Sequence, residues 1–154
     1  MLLWLVAALL ATPQVPAKAT ETAHLVITTS VSPAADRSGR ISLQADVAPK
    51  PGMHVYSPGQ AGYIGITLTL DSDPGFTAAK AKYPAGEKLF MPLLNETQLV
   101  YAKPFRITQD VTLKGGSAAP RTIKGTVRYQ ACDDKICYVP KNIPVEWSVR
   151  IPNP

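Results

Sequence analysis

Apolar residues recur at every second position through most of this chain, in short runs. After the first dozen residues no stretch sustains the three-to-four residue spacing of an amphipathic helix. Ile41, Leu43, Ala45 and Val47 alternate with Ser42, Gln44 and Asp46, and Ile64, Ile66, Leu68 and Leu70 with Gly65, Thr67 and Thr69. Phe105, Ile107, Val111 and Leu113 hold one phase, as do Ile123, Val127, Tyr129 and Ala131, and then Ile143, Val145, Trp147, Val149 and Ile151. A period of two sends apolar side chains to one face of a strand and polar ones to the other. Turn chemistry separates the runs, at Arg37-Ser38-Gly39, Pro49 to Gly52, Asp71 to Gly75, Pro84-Ala85-Gly86 and Gly115-Gly116. The reading is all-β: an antiparallel sandwich of seven to eight or more short strands, with Trp147 in its core. The 15 prolines suit loops and strand edges, because proline cannot donate to a ladder. Val55 to Tyr63 and Pro84 to Glu96 alternate least, so loops that carry function are expected there.

The one uninterrupted apolar segment is Leu2 to Ala11, closed by Thr12, Pro13 and Gln14. It is too short for a spanning helix, which needs about 20 residues. It fits the apolar region of an export signal, with Ala17 and Ala19 as the small residues of a cleavage site, although no Lys or Arg precedes it. Residues 1–19 are therefore read as a signal peptide and 20–154 as a single domain of roughly 135 residues, enough to bury its own core. Export brings thiols into an oxidising compartment, so the protein is expected to be periplasmic or secreted. The formal net charge of +5 is scattered rather than striped or interleaved with aromatics, which excludes a nucleic-acid footprint.

Only two cysteines occur, in Tyr129-Gln130-Ala131-Cys132-Asp133-Asp134-Lys135-Ile136-Cys137-Tyr138-Val139-Pro140. A hairpin turning through Asp133 to Ile136 would set Cys132 opposite Cys137, within bonding range for antiparallel strands. Continued alternation puts Cys132 in the polar phase with Arg128 and Gln130, so its sulfur is expected to face outward, where a reactive thiol must be. A bridge closing about six residues stabilises by only about 2 kcal/mol in the chain-entropy model. Redox use is favoured, with a passive hairpin disulfide and a metal-ligand pair as alternatives. Asp133, Asp134 and partial burial disfavour a thiolate while Lys135 favours one, so thiol pKa values at or above the ordinary value are expected. His24, Met53, His54 and Met91 could suggest copper, but soft ligands without regular spacing form no metal motif. His54 is read instead as a surface or site-lining residue. Asp133 and Asp134, adjacent and therefore divergent, are read as a solvated turn. No metal site and no cofactor are expected.

At these residues the sequence resembles the N-terminal, immunoglobulin-like periplasmic domain of the thiol:disulfide interchange protein DsbD. The cysteine patch, residues 129–140, carries most of the likeness. Gly52-Met53-His54-Val55-Tyr56 and the stretch from Lys82-Tyr83-Pro84 to Tyr101 add to it in the same order. Two departures stand out: four residues separate the cysteines where the best-known members have five, and His54 stands where an aromatic is expected.

The resemblance implies an immunoglobulin-like sandwich and a role in carrying reducing equivalents. Cys132 and Cys137 would be the redox pair, with Cys137 forming the mixed disulfide. Tyr56 and Tyr138 would line the site, Phe90 or Leu89 would shield the sulfurs from a cap, and Glu87 would match an acidic cap residue. The implied activity is that of a protein-disulfide reductase component working through partners. Those partners would be thioredoxin-like periplasmic proteins, including those of cytochrome c biogenesis, and a membrane-linked thiol donor acting in trans on a monomer. The competing reading is a non-catalytic secreted β-sandwich binding domain whose disulfide merely closes a hairpin.

Overall fold

The computed structural model describes residues 17–32, 39–114 and 120–149. In chain order its strands are β1 (Lys18–Glu21), β2 (Leu25–Ser32), β3 (Arg40–Pro49), β4 (His54–Tyr56), β5 (Thr67–Leu70) and β6 (Phe76–Ala78). They continue with β7 (Glu87–Met91), β8 (Glu96–Tyr101), β9 (Phe105–Leu113), β10 (Arg121–Tyr129), β11 (Ala131–Cys132) and β12 (Lys141–Val149). Among the described residues there is no helix, and every pair of strands is antiparallel. The apolar run Leu2 to Ala11 lies outside the described residues. The expected cleavage point after Ala19 falls inside β1.

Two sheets form the sandwich. One has the order β1-β2-β3-β9-β6 and the other β12-β10-β5. Their facing sides hold the apolar phase of each run: Ile41, Leu43, Ala45 and Val47 from β3, Ile107, Val111 and Leu113 from β9, Ile123, Val127 and Tyr129 from β10, and Val145, Trp147 and Val149 from β12. Trp147 is buried, and its indole Nε1 donates to the Gln44 carbonyl oxygen at 2.8 Å, so its one polar atom is satisfied across the core. Burial of a side chain of this size is among the larger single contributions to such a core, a loss of about 3–5 kcal/mol when truncated to alanine. On the solvent side of the first sheet Asp46 and Arg106, direct cross-strand partners, form a two-point ion pair at 2.7 and 2.9 Å.

A third sheet, β11-β4-β8-β7, closes one end. It has apolar contacts on both faces, and this positions the site. Val55, Tyr101 and Ala131 face the main core. Tyr56, Val100 and Cys132 face the other way and form a second cluster, with Tyr63 and Leu89 packed on it. The chain enters this sheet at Gln130, which interrupts the ladder between β10 and β11. Gly52 takes φ +77° in the expected Pro49–Gly52 turn, which delivers the chain from β3 to β4.

Where β10 passes between β12 and β5, Gly125 leaves no room for a side chain: an added Cβ would lie 2.6 Å from the Thr69 carbonyl oxygen. Both neighbours are fixed backbone ladders, so the clash cannot relax by a rotamer change. Gly125→Ala is expected to lower stability by about 1–3 kcal/mol, read as an earlier urea midpoint; an unchanged midpoint would contradict this packing.

Candidate redox site

The sulfurs of Cys132 and Cys137 are bonded, and their Cα atoms are 4.0 Å apart and paired as an isolated antiparallel bridge. The turn between them is organised by Asp133. Its Oδ1 accepts the backbone N–H groups of Lys135 and Ile136, both at 2.8 Å, and its Oδ2 accepts the Tyr138 hydroxyl at 2.8 Å. The Asp133 N–H in turn donates to the Ile136 carbonyl oxygen at 3.0 Å. The Ile136 and Lys135 amides, then Tyr138, hold the Asp133 carboxyl down at about 2. A turn that reads as merely solvated is therefore a hydrogen-bonded loop centred on one carboxylate.

The two sulfurs differ in surroundings. Cys137 is exposed, whereas Cys132 is 1% exposed. Cys132 points away from the main core, as the alternation predicts, but the solvent exposure expected there does not hold. Alternation runs on through Ala131, which joins the main core, and Cys132 on the opposite face is buried as well, because each face of the short β11 meets a different apolar cluster. Accessibility thus belongs to the second cysteine alone.

Tyr56 is the centre of the buried side. Its hydroxyl lies 3.5 Å from both sulfurs and is the donor, since a disulfide sulfur carries no proton. Burial first, then the nearby Tyr63 and Glu96, pushes the Tyr56 phenol up to about 12. Tyr63 stacks on Tyr56 with ring centroids 4.2 Å apart, and its hydroxyl donates to Glu96 Oε2 at 3.1 Å while accepting from Gln98 Nε2 at 2.7 Å. Neither Tyr63 nor Gln98 stands out in the sequence; a polar Gln98 fully buried on β8 is visible only once β8 is placed.

The cap residues separate by strand phase. On β7, Leu89 turns inward onto the Tyr56–Val100–Cys132 cluster, while its neighbour Phe90 points outward at 55% exposure. Glu87 accepts the Ala102 N–H at 2.9 Å and the Lys103 ammonium at 3.2 Å, and these contacts lower its carboxyl pKa. Tyr138 packs on the main core and against the His24 ring, with centroids 4.5 Å apart. His54, beside the site on β4, is 4% exposed. Among the described residues no group of three or more His, Cys, Asp or Glu side chains converges.

Two outcomes follow from this geometry. In the reduced, folded protein, iodoacetamide followed by peptide mass analysis is expected to label Cys137 faster than Cys132 by roughly tenfold or more; equal rates would contradict the burial of Cys132. The Asp133 carboxyl lies below its ordinary 3.8, so its hold on the loop is complete above about pH 4 and is lost as pH falls through about 2. The Lys135 and Ile136 amide resonances are expected to titrate with that midpoint, and a midpoint near 4 would contradict the three-point acceptance.

The structure resembles the N-terminal periplasmic domain of ScsB from Proteus mirabilis (TM-score 0.60, 10% identity), with 81% of this chain covered but only 46% of that one. It also resembles the Neisseria meningitidis DsbD N-terminal domain in the reduced form (TM-score 0.53, 16% identity, 82% and 86% covered). The GAE domain of GGA2p from Saccharomyces cerevisiae is similar too (TM-score 0.51, 9% identity, 88% and 99% covered). At these identities the likeness is one of fold, an immunoglobulin-like β-sandwich. None of the curated proteins matches in sequence. The family model for the N-terminal domain of the thiol:disulfide interchange protein DsbD matches residues 22–146, which include β2 through most of β12 and both cysteines, and the chain belongs to that family.

Proposed function

We propose that this chain is a periplasmic thiol–disulfide exchange module that passes reducing equivalents between thioredoxin-like proteins through Cys132 and Cys137. The observation that carries the reading is the unequal exposure of two bonded cysteines, Cys137 exposed and Cys132 buried against Tyr56, Val100 and Leu89. Exchange needs an attacking sulfur to approach in line with the bond it breaks, so a partner thiolate can reach only Cys137. Attack there forms a mixed disulfide on Cys137 and expels Cys132 as a thiolate, towards which the Tyr56 hydroxyl points as a donor. A second thiol of the partner then displaces Cys137 and leaves the dithiol. Delivery runs in reverse: the Cys137 thiolate opens an acceptor disulfide, and Cys132 closes on Cys137 to release the reduced acceptor.

Family membership and the bonded pair support this chemistry; the fold does not decide it, because the same sandwich serves unrelated domains. The apolar side chains beside the open sulfur, Ile136 at 56% and Val139 at 76% exposure, suit contact with a protein rather than a small thiol. A membrane-linked thiol protein serves as the donor, and the module works as a monomer.

Replacing one cysteine at a time tests the reading. Cys132→Ser, expressed with an export signal in an exporting cell, is expected to accumulate a covalent adduct between Cys137 and a thioredoxin-like protein. Cys137→Ser is expected to trap none, because the remaining sulfur is out of reach. No adduct in either variant would leave a passive sandwich domain with a hairpin disulfide.

A further inference from the structure

His54 is a buried titratable side chain for which the exchange scheme above has no role, and three observations tie it to the reduced form of the site. It is the direct cross-strand partner of Cys132 in the β4–β11 ladder, so the two side chains project from the same face of the sheet, side by side. It is 4% exposed. Its Nε2 is buried without a hydrogen-bond partner, an arrangement that folded proteins seldom tolerate. To an unprotonated imidazole nitrogen the oxidised pair offers nothing, because a disulfide sulfur has no proton to give. Reduction changes that: it places an S–H donor on Cys132.

We propose that His54 is the proton acceptor for the Cys132 thiol in the step that resolves the mixed disulfide on Cys137. The proposal rests on the exchange function argued above and assigns a role within it. A thiol sealed under apolar side chains resists ionisation, yet only its thiolate can attack. The Cys132 S–H proton passes to the His54 imidazole, and the thiolate attacks the Cys137 sulfur. The Cys132–Cys137 bond forms as the bond from Cys137 to the partner breaks, the partner sulfur leaves as a thiolate carrying the electron pair, and the imidazolium releases its proton to solvent.

The other groups around Cys132 do not suit this task. Tyr56, on the same strand as His54, keeps its proton to about 12, and a neutral phenol is not a base for a thiol. Asp133, which follows Cys132, is held at about 2 by three donors and is too weak a base. Lys135 in the turn is a cation. Glu96 accepts from Tyr63, and Glu87 on β7 is engaged by Ala102 and Lys103. Burial lowers the His54 pKa below its usual 6.5, with Asp133 pulling weakly the other way, which leaves a neutral ring with one nitrogen able to accept.

The reaction of the reduced protein with an aromatic disulfide that releases thionitrobenzoate isolates this step. A first, bimolecular phase reports attack by Cys137; a second, concentration-independent phase reports closure by Cys132. In folded His54→Phe, and in His54→Gln, which keeps a polar side chain, the second phase is expected to slow by roughly 10- to 100-fold near neutral pH. Its pH midpoint should move upward, the variants should converge on the wild type in alkali, and the first phase should be unchanged. A second phase at the wild-type rate, or one slowed by the same factor at every pH, overturns the role of His54 while leaving the exchange function standing. Release of only one thionitrobenzoate per wild-type chain, with no closure, overturns both.

Discussion

The pairing of β11 with β4 is the contact on which the rest of the site depends. Two residues long, it fixes Ala131 against Val55 and Cys132 against His54, and so decides which cluster each joins. The chain has just left β10, whose apolar phase belongs to the main core, and Gln130 is the single residue over which it changes sheets. Its amide donates to the Tyr138 carbonyl oxygen at 3.1 Å, which ties the strand entering the cysteine turn to the one leaving it. Without that change of sheet, Cys132 would continue the solvent face of β10, and both sulfurs would be open.

The resulting disulfide has an inside and an outside. Its inner end is packed by aromatic and aliphatic side chains, and its outer end sits on a loop flanked by exposed apolar residues. This asymmetry sets an order of events on a symmetric bond, since an incoming sulfur meets one end only. In the exchange function proposed above, it also divides the work between the two thiols of the reduced form: one makes contact with partners and the other governs release. Control of release falls naturally to the buried end, where neighbouring groups and not solvent set protonation.

Much of the sandwich is legible in the alternation of apolar residues, because a strand with one wet face writes its orientation into every second position. Ile41 to Val47, Phe105 to Leu113 and Ile143 to Val149 lie in strands with the expected side inward. The less legible elements break that pattern for identifiable reasons. β2 buries Thr29, whose hydroxyl bonds the Lys18 and Glu146 carbonyl oxygens, so a polar residue interrupts its apolar phase. β7 carries Phe90 on its open face and Glu87 on the other, which inverts the usual code and makes a paired strand read as a loop. The cysteine spacing reveals that a bridge can form but not which sulfur is covered, since burial of Cys132 depends on strands contributed by residues 54–56 and 96–101. The orphaned ring nitrogen of His54 is likewise a property of packing, and no local pattern announces it.

The carboxylate at the centre of the cysteine loop has a consequence for electron transfer. Asp133 gathers two amides and the Tyr138 phenol through hydrogen bonds that do not involve either sulfur, so these restraints on the segment do not depend on the sulfur–sulfur bond. Cleavage then releases little chain disorder, and re-closure need not gather a slack tether. For the proposed carrier role, the two electrons go into sulfur chemistry alone, with small rearrangement between the charged and discharged forms, as suits a shuttle that cycles repeatedly without unfolding.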